Sequence, residues 1–223
     1  MEAKELAVRV SGLRLSFGAT FVLRGLDLQV AYGERLAVLG ANGAGKTTLL
    51  KTLATLIRPS SGNVEVAGYD ALKDPGTVRQ NIGLLSHKSY LYDGLTSEEN
   101  LTFYGRLYRV DNLREKVARS LDLVGLTKQR RDLARTLSHG QQRRLSLARA
   151  IIHDPRILLL DEPDTGLDSE SQNLLEKLIT GQGYTVILTT HNPERFSPLV
   201  HRFVALRDGR IVDEAAELSL MRS

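Results

Sequence analysis

The sequence predicts an α/β protein: a mainly parallel sheet with an N-terminal antiparallel β part and an inserted α-helical subdomain. Three observations predict it. ELAVRVSGLRLSF and VLRGLDLQV, near the start, alternate apolar and polar residues, the period of a half-buried antiparallel strand. Short unbroken apolar runs, RLAVL, RILLL and TVILTT, are separated by helical segments, as parallel strands covered on both faces are. Between residues 88 and 155 the apolar spacing is mostly helical. One domain of 223 residues is expected, with 1–87 and 156–223 as the α/β core and 88–155 as the helical subdomain.

The elements follow in order. The alternating segments end at a turn, Tyr32–Glu34, and RLAVLG runs from strand into glycines. From Thr47 onward, Leu49, Leu50, Leu53, Leu56 and Ile57 fall on one helical face, and RPSSG (58–62) stops that helix. NVEVAG returns to the antiparallel part, and NIGLLSHKSYLYD (81–93) reads as a strand flanked by loop. Thr96 and Glu99 have the spacing of a capping box, opening a helix with Leu101, Tyr104, Leu107 and Tyr108 on one stripe. A second helix, from Asn112 to Val124, presents Leu113, Val117, Leu121 and Val124. Ser138 and Gln141 form another capping box, before a stripe that includes Leu145, Ala148 and Ile152. RILLLDEP is a buried strand, 169–180 a helix, YTVILTTH another buried strand, and FVALRDGRIVDE a hairpin turning at Asp208-Gly209.

Composition narrows the chemistry. The chain has no cysteine, which excludes disulfides, thiol nucleophiles, iron–sulfur clusters and cysteine zinc sites. No apolar run approaches the ~20 residues of a membrane-spanning helix, and MEAKELAVRV has no secretory apolar region. Work at a membrane is therefore expected to pass through a partner. The net charge of +4 is mild and reads as solvated surface, not as a nucleic-acid face.

The motifs carry more. GANGAGKT (40–47) fits the G-x-x-x-x-G-K-[ST] pattern between a strand and a helix. Gly40, Gly43 and Gly45 let the loop bend, so that amides along Ala41, Asn42, Ala44 and on to Thr48 turn toward phosphate oxygens. The following helix adds its positive end. Lys46 supplies a point charge to the β- and γ-phosphates, and Thr47 a hydroxyl to Mg²⁺. Asp161, closing ILLLD, is expected to hold the same Mg²⁺. Glu162 beside it can take the proton of the water that attacks the γ-phosphate. His191 ends the next strand and is expected at the γ-phosphate. ATP with Mg²⁺ is the implied ligand. Ser138, Gly140 and Gln141 make a second anion-binding helix start, which a single nucleotide per chain does not obviously need.

The ordered motifs GANGAGKT, LSHGQ, ILLLDEP, TGLD and LTTH span nearly the whole chain and resemble those of the ATP-binding subunits of ABC transporters. The resemblance implies a P-loop NTPase fold with a RecA-like sheet, and hydrolysis of ATP to ADP and phosphate coupled to transport. It also implies a reason for the second anion site. Two copies pair head to tail, and Ser138, Gly140 and Gln141 of one chain hold the γ-phosphate bound to the other. Asp168, in TGLD, matches the loop that couples the two sites. Phe17 is the candidate to stack on adenine. The helical subdomain would meet an integral membrane subunit, with the chain peripheral on the cytoplasmic face of the cell membrane.

Two positions depart from that pattern. His139 stands where the family usually has a small residue, and little effect is expected. His87 stands where many relatives carry a Gln that touches Mg²⁺ and the attacking water. His87 is expected to take that catalytic role, with a charge that can change near neutral pH. His87, LTSEENLTFYGRLYRV and GQQRRLSLARA together are similar to the haem exporter ATPase family of cytochrome c maturation. That resemblance implies haem handling through membrane partners, with no haem ligand expected from this chain. The alternatives are the ATPase of a drug, lipid or polysaccharide exporter, an importer subunit, a soluble ABC-type ATPase, and a non-hydrolysing ATP-binding regulator. Glu162 counts against the last, and the lack of long inserts against nucleic-acid work.

Overall fold

The computed structural model describes residues 5–165, 169–181 and 183–212. Strands β1 (Leu6–Phe17) and β2 (Thr20–Ala31) form a long antiparallel hairpin. With β4 (Ser61–Val66) and β5 (Tyr69–Asp70) it makes a four-stranded sheet of order β2-β1-β4-β5. The second sheet, among the described residues, contains β3 (Arg35–Leu39), β6 (Ile82–Leu85), β7 (Ile157–Asp161), β8 (Thr185–Thr190), β9 (Arg202–Arg207) and β10 (Arg210–Val212). Its order is β10-β9-β3-β8-β7-β6, parallel throughout except for β10 on β9.

The central strands are mostly apolar, with polar residues only at or near their ends, because both of their faces are covered. Leu36, Val38, Leu159 and Ile187 enter a core shared with the antiparallel sheet and with α1 (Lys46–Leu53). Their neighbours Ala37, Leu158, Leu160, Val186 and Leu188 enter a second core on the opposite side. The parallel strands end together at one edge, which brings Leu39, Asp161 and Thr190 close to the start of α1.

Between β6 and β7 the chain forms α3 (Ser97–Leu107), α4 (Leu113–Leu123) and α5 (His139–Ile151). These helices do not build a separate core. Leu101, Val117, Leu121 and Leu145 share one apolar cluster with Leu158 and Leu160 of β7 and with Leu175 and Ile179 of α6 (Ser169–Thr180). Each fully buried leucine contributes about 1.5–3 kcal/mol, so packing fixes α5 firmly against the sheet. The capping boxes at Thr96 and Ser138 are both formed.

Some local details differ from the pattern read in the sequence. Thr55 adopts φ 58° and α1 ends at Leu53, so Leu56 lies beyond the helix and is exposed. Leu107 is also exposed. At 100° per residue it sits about 240° around the axis from Leu101, off the buried stripe. Periodicity does not anticipate α2 (Pro75–Asn81) or α7 (Pro193–Phe196), which are too short to show it; each opens with proline. No helix among the described residues is long and apolar enough to cross a membrane.

Candidate active site

β3 leads directly into the loop 40–47. A Cβ on Gly40 would lie 2.5 Å from the Leu206 carbonyl of β9, so this position has no room for a side chain. Gly45 has φ 106°, a conformation that other residues adopt only with strain. The first backbone bond of α1 runs from the Leu49 amide to the Gly45 carbonyl at 2.8 Å. The amides of Lys46, Thr47 and Thr48 therefore have no helical acceptor, and with the helix dipole they form an anion site. Lys46 is only 5% exposed. Its ammonium donates to the carbonyls of Gly40 at 2.6 Å and Ala41 at 3.2 Å, which curls it into the loop.

Asp161 is buried at the end of β7. Its Oδ1 accepts the hydroxyls of Thr47 at 3.0 Å and Thr189 at 2.8 Å. Its Oδ2 is buried without a hydrogen-bond partner. A buried carboxylate oxygen left this way is costly unless a cation faces it. Among the described residues no cluster of three His, Cys, Asp or Glu could hold a metal ion. The oxygen pair of Asp161 and Thr47 instead suits Mg²⁺, which takes few protein ligands and fills its shell with water and phosphate.

Glu162 follows at φ 43°, in the left-handed region, and such backbone strain persists only when the surroundings hold it. Its amide donates to Thr189 Oγ1 at 3.0 Å. Its carbonyl accepts from the Thr165 amide at 3.3 Å and from Arg143 Nη2 at 3.4 Å. In that pose Oε1 lies 3.7 Å from Lys46 Nζ and 4.0 Å from His191 Nδ1, and Oε2 lies 3.4 Å from His87 Nε2. Three segments distant in sequence, carrying Lys46, His87 and His191, thus converge on one carboxylate.

The second anion-binding turn stands apart. Ser138 Oγ accepts from the Gln141 amide at 3.2 Å, and Gln141 Oε1 accepts from the Ser138 amide at 2.9 Å. The capping box uses those two amides and leaves those of His139 and Gly140 free for a ligand. Among the described residues no hydrogen bond joins Ser138, Gly140 or Gln141 to the loop 40–47. A cavity of about 510 Å³ beside that loop is lined by Gly40 to Ala44, Phe21, Arg24 and Asp208, and by no residue of the Ser138–Gln141 turn.

Phe17 is exposed at the end of β1, so it is not a core residue, yet it does not line this cavity; Phe21, equally exposed, does. Asp168 lies outside the described residues. The structure adds Thr189, Phe21 and Arg143 to the residues singled out from sequence. Their only sequence signals are weak: a hydroxyl inside an apolar strand, a second aromatic near the hairpin tip, and one arginine in a polar run.

A phosphate loop after β3, facing a buried Asp and the partly buried Glu beside it at the end of β7 two strands away, is the site of a P-loop ATPase. Residues 23–165 match the ABC transporter family, and the chain belongs to that family, as an ATP-binding subunit that hydrolyses ATP in transport. It is 38% identical over 222 residues to the daunorubicin/doxorubicin resistance ATP-binding protein DrrA of Streptomyces peucetius, covering 97% of this chain and 67% of that protein. It is 34% identical over 224 residues to the Nod factor export ATP-binding protein I of Paraburkholderia xenovorans (strain LB400), covering 98% and 74%. Among solved structures it is similar to the dimeric ATP-binding cassette MJ0796 in a post-hydrolysis state bound to ADP and Pi. That match has a TM-score of 0.82 and 26% identity, and covers 92% of this chain and 97% of that chain. The relatives are named for drug resistance and Nod factor export, so the haem-handling expectation gains no support from them.

Proposed function

We propose that this chain is the ATP-hydrolysing subunit of a membrane exporter of the drug-resistance type. Two copies pair head to tail around two ATP·Mg²⁺, bound to integral membrane subunits at the cytoplasmic face. The observation that carries the pairing is the half-built site. Lys46, Glu162, His87 and His191 converge, while among the described residues the second anion-binding turn of the same chain makes no hydrogen bond to the phosphate loop. The dimeric cassette to which the chain is similar supports the same reading. The names of the relatives favour drug export over the haem system, whose motifs here are short.

Within this reading the amides of the 40–47 loop and Lys46 hold the β- and γ-phosphates. Thr47 and Asp161 hold Mg²⁺, which neutralises phosphate charge when bound. Glu162 accepts a proton from the attacking water, His87 orients that water, and His191 steadies the γ-phosphate. Ser138, Gly140 and Gln141 of the second copy close the site, and Asp168 couples the two sites. Phe21, which lines the cavity beside the loop, or Phe17 next to it on the hairpin supplies the aromatic face for adenine.

Glu162→Gln keeps the shape and removes the base, so turnover should fall by about 10²–10⁴. An ATP-bound dimer should accumulate in size-exclusion chromatography with light scattering. Unchanged turnover refutes Glu162 as base, and a monomer in Mg·ATP refutes the pairing. In vesicles holding the chain with its co-purified membrane subunits, daunorubicin should stimulate hydrolysis. Stimulation by haem alone would return the haem reading.

A further inference from the structure

We infer that Arg143 is a positioning residue that ties the base of one nucleotide site to the helix serving the other site. The inference rests on the head-to-tail pairing proposed above, and goes beyond it by naming a route of coupling. The helix α5 begins at the Ser138 cap, which in the pair meets the γ-phosphate held by the partner copy. Arg143 lies about one and a half turns further along the same helix. Its Nη1 donates to the Ser86 carbonyl at 2.6 Å and its Nη2 to the Glu162 carbonyl at 3.4 Å.

Both carbonyls sit just past strand ends, at β6 and β7, where sheet pairing no longer fixes them. Ser86 immediately precedes His87. One planar guanidinium therefore grips the backbone leading into His87 and that of Glu162 itself. Glu162 needs such a grip because of its left-handed φ of 43°. Thr189 holds its amide, and Arg143 with the Thr165 amide holds its carbonyl.

The guanidinium is half-buried, and burial lowers its pKa, while the nearby Asp161 and Asp164 carboxylates oppose that and favour its charged form. A cleft of about 230 Å³, lined by His87, Ser89, His139, Gln142 and Arg143, separates the head of α5 from the 87–89 loop. Across that gap the bond from Arg143 to Ser86 takes the place of side-chain packing. A displacement of the head of α5, which lies ahead of its packed residues Leu145 to Ile151, is thus passed to His87 and Glu162 of its own site when the first turn engages the partner's nucleotide. Lysine cannot copy this, since one ammonium lacks the planar fork that spans two carbonyls.

The test is steady-state hydrolysis against ATP concentration for the full chain, its Arg143→Met variant and its Arg143→Lys variant. In Arg143→Met, kcat should fall about tenfold, the scale of one charge-assisted hydrogen bond felt in the transition state. The KM for ATP should move less than twofold, and the Hill coefficient should drop toward 1. Arg143→Lys should retain the fold without restoring the Hill coefficient, and millimolar guanidinium should raise the turnover of Arg143→Ala. In a Glu162→Gln background, Arg143→Met should still form the ATP-dependent dimer.

A wild-type Hill coefficient in Arg143→Met overturns the inference, whatever happens to kcat, and so does a non-cooperative wild-type chain. Loss of the dimer in the double variant, or unfolding of both single variants, assigns Arg143 to stability and overturns it equally. A monomeric Glu162→Gln single variant is a different failure, because it removes the pairing itself.

Discussion

Thr189→Val should cost both stability and turnover, because Asp161 and Glu162 share the Thr189 hydroxyl. The side chain is fully buried on β8. Its Oγ1 donates to Asp161 Oδ1 at 2.8 Å and accepts from the Glu162 amide at 3.0 Å. Valine has nearly the same shape and makes neither bond. A hydrogen bond to a charged group is worth about 1.5–3 kcal/mol, and a buried donor left unpaired costs about 1–3 kcal/mol. The two do not add fully, because Asp161 Oδ1 keeps the Thr47 hydroxyl; a net loss of about 2–4 kcal/mol is expected. At roughly 2–4 °C per kcal/mol for a domain of this size, the melting midpoint should fall by about 4–16 °C. The amide of Glu162 is then unpinned, its strained φ can relax, and kcat should fall at least about tenfold through misplacement of the carboxylate. Thr189→Ser keeps the hydroxyl and should recover most of both losses. Thermal melts by circular dichroism and steady-state phosphate release measure the two effects. A valine variant that melts and turns over like the parent would refute this account of how the two carboxylates are held.

Two further predictions come from other parts of the structure, beside those for Glu162 and Arg143. Gly40→Ala places a methyl 2.5 Å from the Leu206 carbonyl of β9; strand backbone cannot yield cheaply, so the loop must move, at about 1–3 kcal/mol. Affinity for a fluorescent ATP analogue should drop about tenfold or more, and an unchanged affinity would contradict the steric reading. His153 donates from Nε2 to the Ile82 carbonyl at 3.0 Å and stacks on Tyr108, and burial pushes its pKa down from 6.5 to about 4. The unfolded chain then takes up a proton first, so stability is unaffected above pH 6.5, declines as pH falls toward 4, and levels off below. The full loss is up to about 3 kcal/mol. His153→Gln keeps a donor for Ile82 and should lose less stability between pH 7 and pH 5 in urea titrations; an identical loss rules the imidazole out as the source.

What could be read from the sequence was what local chemistry dictates. The apolar runs of β3, β7 and β8 are visible because both strand faces are buried, and each capping box is visible because its partners lie three residues apart. The phosphate loop and the Asp161–Glu162 pair are contiguous in sequence and so carry their own spacing. Thr189 was hidden because its role depends on register: it pairs directly with Asp161 across β7 and β8, and no local pattern encodes that. Arg143 was hidden in QQRR, a polar run that reads as solvated surface until α5 packs against the sheet. The choice between Phe17 and Phe21 is set by how β2 meets the β9–β10 hairpin, where the Arg24 amide donates to the Gly209 carbonyl at 2.8 Å. That contact joins residues far apart in the chain.

The charge balance of the site explains why a second copy would contribute a helix end and not another lysine. Near Glu162 one chain supplies Lys46 and Arg143 as cations and Asp161, Glu162 and Asp164 as anions, a local sum that does not favour a triphosphate by itself. Mg²⁺ and the dipole of α1 offset part of the repulsion. In the proposed pair, the first turn of α5 adds two free amides and roughly half a positive charge. Such an end contributes about 0.3–2 kcal/mol toward an anion. In the proposed pair, a contact of that size would close on the γ-phosphate and be lost once that phosphate leaves, which would let the two copies part after each hydrolysis. A lysine placed there would bind the products nearly as well as ATP, and the pair would stay shut.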